Sequence, residues 1–220
     1  MRVRFICGYY SDLAHNKKKR PEDYWDARNF CWAVKYGTFK PKFNIHDGKG
    51  GKTPITEKNF GVVRPTFGAW IEKSVTAFGA GDGVMLVPVP SKDGVVGAKG
   101  FRSLDMTKEA LNGKKLAARV NDGLHWKKKL TAAHEGGARS RALLEPLLVA
   151  DDSLRGKKVI LVDDLVTKGC SLLASSDALE KKGAKVVGAI VCGKTIYDLN
   201  TPHFGEQEFE LTTELADWTG

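Results

Sequence analysis

Val-Ile-Leu-Val-Asp-Asp-Leu-Val-Thr-Lys-Gly-Cys-Ser, residues 159–171, decides the fold. Val159, Ile160, Leu161 and Val162 form an unbroken apolar run, the pattern of a strand buried on both faces. Asp163 and Asp164 end that run, and Thr167, Lys168, Gly169, Cys170 and Ser171 follow as a short loop. Leu172 to Lys182 then reads as a helix closed by Gly183, and Val186 to Val191 as a second apolar strand. Strand, acidic pair, loop, helix and strand make a βαβ unit of a parallel sheet.

Ligands of such sheets bind beyond the carboxyl ends of the strands, where the next helix begins. Asp163 and Asp164 can accept hydrogen bonds from vicinal sugar hydroxyls and can stand near a metal ion. Thr167, Gly169 and Ser171 can offer hydroxyls and backbone N–H groups to a phosphate at a helix N-terminus. A 5-phosphorylated ribose fits both halves. Helix capping alone would explain one Ser or Thr, but not two acids followed at this spacing by Thr-x-Gly-x-Ser.

Asp163, Asp164, Thr167, Gly169 and Ser171 resemble the phosphoribosyl-pyrophosphate (PRPP) motif of the type I phosphoribosyltransferases. Lys168 departs from it, standing where that family usually has Thr. A second element agrees in order. The apolar run Val84 to Val87 is followed by Pro88-Val-Pro90-Ser91-Lys92. This is similar to the pyrophosphate loop of the ComF-like branch, in which an unusual peptide geometry turns N–H groups toward the leaving group. The zinc-binding cysteines of that branch are missing here. Taken alone, the segment is a strand ended by prolines.

Composition sets the outer limits. The chain has 220 residues, 42% of them hydrophobic, and 24 glycines, enough for one α/β domain with a substantial core. No apolar run approaches the ~18 residues of a membrane span, and the apolar part of the N-terminus is too short for a signal peptide. Cys7, Cys31, Cys170 and Cys192 are scattered, without a Cys-x-x-Cys pair, which argues for free thiols and a cytoplasmic location. The net charge of +9 favours anionic partners, PRPP and nucleic acid alike.

The remaining expectations run in chain order. Residues 1–10 read as an edge strand. A helix is predicted from Pro21 to Gly37, and its stretch Ala33-Val-Lys-Tyr-Gly is similar to a Leu-Lys-Tyr element of one phosphoribosyltransferase subgroup. Lys40 to Asn59 reads as a long loop. His46 and Asp47 in it offer metal-ligand atoms, although a His-Asp pair in such a loop is more often a turn. Phe67 to Phe78 and Leu104 to Asn121 read as helices, Gly97 to Ser103 as flexible, Leu124 to Leu130 as a strand and Leu143 to Val149 as helical. Thr131 to Arg141 is a basic, glycine-containing loop. Gly193-Lys194-Thr195 has the ending of a nucleotide P-loop, but no helical pattern follows it, and that reading is rejected.

The resemblance implies a type I phosphoribosyltransferase-like fold: a mainly parallel central sheet, helices on both faces, and a variable hood. The whole chain, 1–220, is expected to be one domain, with 1–65 and 195–220 as hood or family-variable additions. The implied reaction uses PRPP and Mg²⁺ to ribosylate a nitrogenous base or amine, releasing pyrophosphate. Asp163 and Asp164 hold the ribose and, through substrate or water, the metal. Thr167, Lys168, Gly169, Cys170 and Ser171 hold the 5-phosphate. Pro90, Ser91 and Lys92 hold pyrophosphate, with Arg139 and Arg141 supplied by a closing loop. Thr167 cannot serve as the carboxylate base of purine-salvage members. The acceptor is not legible, and a homodimer is compatible with the fold. The alternative is a PRPP-sensing, nucleic-acid-binding regulator, or a ComF-like protein tied to DNA uptake, with little catalysis.

Overall fold

The computed structural model describes residues 1–39, 42–130 and 140–214. The apolar run lies in strand β7 (Lys158–Val166), and helix α6 (Cys170–Lys181) returns the chain to strand β8 (Lys185–Ile196). β7 and β8 pair in parallel, Leu161 opposite Ala189 and Val166 opposite Lys194, which completes the expected βαβ unit.

Two further parallel strands flank it. β4 (Met85–Pro88) pairs with β7, and β1 (Arg2–Tyr10) pairs with β8. β9 (Phe204–Glu210) closes the other side antiparallel to β1, giving the order β4-β7-β8-β1-β9. The sheet is therefore mainly parallel, with helices on both faces.

Alternation along the strands builds two cores. Ile160 and Val162 of β7, Ile190 and Cys192 of β8, and Leu86 of β4 face one layer. That layer is α2 (Glu22–Tyr36), α3 (Val63–Ala77) and α4 (Arg102–Ala110), with the short α1 (Asp12–Lys17) preceding them in the chain. Val159 and Leu161, Ala189 and Val191, and Val87 face α6 and the short helix α5 (Arg141–Leu144). The four residues of the apolar run, Val159, Ile160, Leu161 and Val162, are 0% exposed. Each such side chain contributes roughly 1.5–3 kcal/mol by leaving water.

β1 is an interior strand, not the expected edge. Arg2 and Arg4 disguised it. Their guanidinium groups lie over Phe78 at 4.3 Å and Trp70 at 5.2 Å, so the stems cover the helical layer while the heads reach polar partners. The 40–59 stretch is also more ordered than expected. It contains a hairpin of β2 (Phe43–His46) and β3 (Lys52–Ile55), and a 3₁₀ turn follows over Glu57–Val62. Asp26 of α2 anchors the hairpin, accepting from Asn44 N at 2.8 Å and Asn44 Nδ2 at 3.0 Å.

Other boundaries shift as well. α2 starts after Pro21 and stops at Gly37, as expected. The helix expected to Asn121 ends at Ala110, followed by a turn at Gly113 and a 3₁₀ segment over Lys115–Arg119. The segment expected to be helical from Leu143 gives way to strand β6 (Leu148–Ala150), which pairs with β5 (Leu124–Trp126). The loop expected at 131–141 lies mostly outside the described residues. Gly188 stands five residues before Gly193, so the written P-loop pattern is complete. Both residues nonetheless lie inside β8, and Lys194 sits 4.2 Å over the Phe209 ring. No helix among the described residues is long and apolar enough to cross a membrane.

Packing of α3 on α4 depends on Gly68, where an added Cβ would lie 1.8 Å from the Ala110 carbonyl oxygen. Gly68→Ala is expected to lower stability by about 1–3 kcal/mol, read as a lower urea midpoint with an unchanged slope. An unchanged midpoint would mean that the two helices can part freely.

Candidate functional site

The acidic pair ends the apolar run but not the strand, because β8 keeps pairing with β7 as far as Val166. Asp163 is half-buried and Asp164 buried. Lys35 holds the second of them. From the last turn of α2 its ammonium reaches Asp164 Oδ2 at 2.8 Å. Burial alone would lower the Lys35 pKa, but attraction to Asp164 outweighs it and raises the pKa. Asp163 Oδ1 accepts from the Asp164 N–H at 2.8 Å. Burial and the adjacent Asp164 carboxylate push the Asp163 carboxyl up to about 7, against the pull of Lys35 and Arg102.

Beyond β7 the chain turns through Thr167 and Lys168, both exposed, to Gly169. Thr167 Oγ1 is 2.9 Å from Thr195 Oγ1, which fastens the loop to the end of β8. Gly169 has φ +82°, and an added Cβ would meet Leu211 at 2.5 Å. Left-handed backbone and close approach both require glycine there. Gly169 is the N-cap of α6, so Cys170 and Ser171 begin its first turn. The dipole of a helix favours an anion beside its first turn.

The loop after β4 adjoins this edge. Pro88 lies opposite Val162, and the Val89 N–H donates to the Val162 carbonyl at 2.9 Å. The peptide bonds of the loop are trans. The Pro90 carbonyl accepts from Trp126 Nε1 at 2.8 Å. The Ser91 N–H donates to Ser103 Oγ at 3.2 Å, and the Ser91 hydroxyl donates to Asp93 at 2.5 Å. These contacts hold Pro90 and Ser91 in place, and Lys92 is exposed.

Two cations at the acidic pair escaped the sequence reading of the site. Lys35 stood in the stretch marked for its Lys-Tyr, but nothing in its spacing shows that α2 crosses β7. Arg102, from the segment read as flexible, starts α4 and lies over Tyr36 at 5.4 Å. Of the two expected arginines, Arg139 lies outside the described residues. Arg141 opens α5 and forms a two-pronged pair with Asp177 of α6, at 2.5 and 2.7 Å, and it also donates to Thr213 Oγ1 at 2.8 Å. The structure thus brings Asp163, Asp164 and the 167–171 loop together beside the 88–92 loop, and binds Arg141 to α6.

The raised Asp163 carboxyl has a consequence for stability. Between about pH 4, where a free Asp carboxyl titrates, and about pH 7 the folded chain keeps a proton that the unfolded chain releases. Stability therefore falls as pH rises through this window and levels off above it. In magnesium-free buffer, Asp163→Asn is expected to remove that loss, so variant and wild type diverge in urea midpoint from pH 4 to 7. Parallel profiles would contradict the assignment.

Comparison with known proteins adds an independent finding. No curated protein matches the chain. Two crystal structures of Mycobacterium tuberculosis H37Rv orotate phosphoribosyltransferase are remotely similar, one in complex with Fe(III) dicitrate and one with inorganic phosphate. The first is 15% identical over 77% of this chain and 84% of that one, with a TM-score of 0.38. The second is 14% identical over 85% and 84%, with a TM-score of 0.35. Residues 124–196, which include β7, its loop, α6 and β8, match the family model of the phosphoribosyl transferase domain, the family this chain resembles.

Proposed function

We propose that the chain is a phosphoribosyltransferase that binds PRPP at the carboxyl end of β7. The observation that carries this reading is the sequence of groups along one edge: half-buried Asp163, paired Asp164, the pinned Thr167 loop and the N-terminus of α6. They offer acceptors for ribose hydroxyls and, one short loop away, donors for a phosphate.

In this reading the 5-phosphate rests on Thr167 and on backbone N–H groups from Lys168 to Ser171. The ribose hydroxyls donate to Asp163 and Asp164. Lys35 pairs with Asp164 and orients its carboxylate. A nitrogen of the acceptor attacks C1 as the bond from C1 to the pyrophosphate oxygen breaks. Positive charge then grows on the sugar beside the two carboxylates, and negative charge leaves with pyrophosphate. Lys92 and Arg102 stand on the side of the 88–92 loop and stabilise the leaving group. Arg141 braces α5 on α6 through Asp177, so Arg139 is the better candidate for a closing cation.

Magnesium is implied by the family, and the donor set fits it: carboxylate oxygens, one of them already paired with a lysine. Asp163 and Asp164 would hold Mg²⁺ largely through water and sugar hydroxyls, where it supplies charge neutralisation for the pyrophosphate. The hood in this reading is narrower than residues 1–65, because β1 and α2 belong to the sheet and its core. It consists of the β2–β3 hairpin and the 197–203 segment.

A second reading is favoured by the charge. Lys17, Lys18 and Lys19, and Lys127, Lys128 and Lys129, are all exposed on a chain of net charge +9. A PRPP-responsive nucleic-acid binder would use them. Pyrophosphate release from PRPP with a panel of bases and amines supports the enzyme. A mobility shift that responds to PRPP, without turnover, supports the regulator.

Both readings require the phosphate loop. Thr167→Ala is expected to weaken binding of PRPP with Mg²⁺ by about 10-fold or more, the worth of one hydrogen bond to a charged group, measured by calorimetry. Unchanged affinity would remove Thr167 from the phosphate site.

A further inference from the structure

Away from the acidic pair, four side chains from three remote segments meet beside the start of β9. Asp23 and Asp26 come from α2, His46 from the end of β2, and His203 from the residue before β9. His46 is buried among them. Its Nε2 lies 2.8 Å from Asp26 Oδ2. An ionised carboxylate only accepts, so this nitrogen carries the proton and Nδ1 carries the lone pair. Nδ1 faces His203 Nε2 at 3.0 Å. Asp23 Oδ2 lies 3.8 Å from the same His203 nitrogen, while Asp23 Oδ1 holds Lys52 at 2.7 Å. One ligand atom from each of Asp23, His46 and His203 lies within 4.8 Å of the others.

Two imidazoles and a carboxylate, with a further carboxylate behind one imidazole, form a recognisable donor set. Zinc sites take nitrogen ligands at about 2.0–2.1 Å in a tetrahedron, which sets neighbouring ligand atoms about 3.3 Å apart. The two edges through His203, 3.0 and 3.8 Å, fall on either side of that spacing, and the third, Asp23 to His46, lies within 4.8 Å. Asp26 supplies the outer carboxylate that commonly orients a metal-bound histidine. Phe204 stacks on His46 with ring planes 4° apart, holding the ring in place. Without an ion, His203 Nε2–H donates to the lone pair of His46 Nδ1 at 3.0 Å; binding would replace that hydrogen bond, with the His203 proton on Nδ1 and a lone pair on Nε2.

We propose that Asp23, His46 and His203 form a binding site for a zinc-type divalent cation, with Asp26 orienting His46 and water completing the coordination. Its nitrogen donors set it apart from the oxygen donors suited to magnesium at Asp163 and Asp164. The ion would tie α2, the β2–β3 hairpin and the start of β9 into one unit.

The competing ligand group is the buried thiol trio Cys7, Cys31 and Cys192. Protein stripped with a chelator and titrated with Zn²⁺ alone is expected to bind one equivalent. His203→Ala and Asp23→Asn should each weaken that binding by about 100-fold, and Asp26→Asn by about 10–100-fold. Circular dichroism should show an unchanged fold for His203→Ala, since His203 is partly exposed. X-ray absorption on the wild-type zinc complex should show nitrogen and oxygen ligands. Sulfur ligands, unchanged affinity in His203→Ala, or no zinc uptake by the wild type would each overturn the proposal.

Discussion

Burial of β7 on both faces is the constraint on which the rest depends. A strand flanked by β4 and β8, with its alternate side chains in two separate cores, has no tolerance for a register slip. A shift of one residue would exchange Ile160 and Val162 with Val159 and Leu161 and bring Asp164 out of reach of Lys35. The same register delivers the carboxylates to the carboxyl edge of the sheet. Position in the sheet thus becomes chemistry at its edge.

The Asp164–Lys35 pair shows how the core and the edge are coupled. A buried carboxylate is costly unless paired, and removing one partner of such a pair costs more than the pair itself contributes. Lys35 lies on the helix that also packs Phe30, Cys31 and Val34 against the sheet. The pull of Lys35 on the Asp163 carboxyl therefore depends on the seating of α2. Asp163 has its pKa raised by burial first and by the adjacent Asp164 carboxylate second.

Much of this was legible in the sequence because short-range patterns carry it. The four-residue apolar run, the glycine that must adopt a left-handed backbone, and the proline and glycine that bound α2 are local signals. What escaped is non-local. Arg2 and Arg4 make an interior strand look like an edge, because only the folded chain brings Phe78 and Trp70 beneath them. The hairpin at 43–55 has few apolar residues of its own and relies on Asp26, distant in sequence. Lys35 and Arg102 reach the acidic pair through helix crossings that no spacing reveals. The Gly188-to-Thr195 pattern is the opposite case: its residues fit a P-loop, and the strand that contains them does not.

The account rests on a sugar phosphate at the end of β7. A crystal structure of the protein soaked with ribose 5-phosphate tests this most directly. The account expects the phosphate within hydrogen-bond distance, about 2.7–3.2 Å, of backbone N–H groups between Lys168 and Ser171, with the ribose hydroxyls on Asp163 or Asp164. A sugar phosphate bound elsewhere, or no density at this loop under saturating conditions, would contradict it.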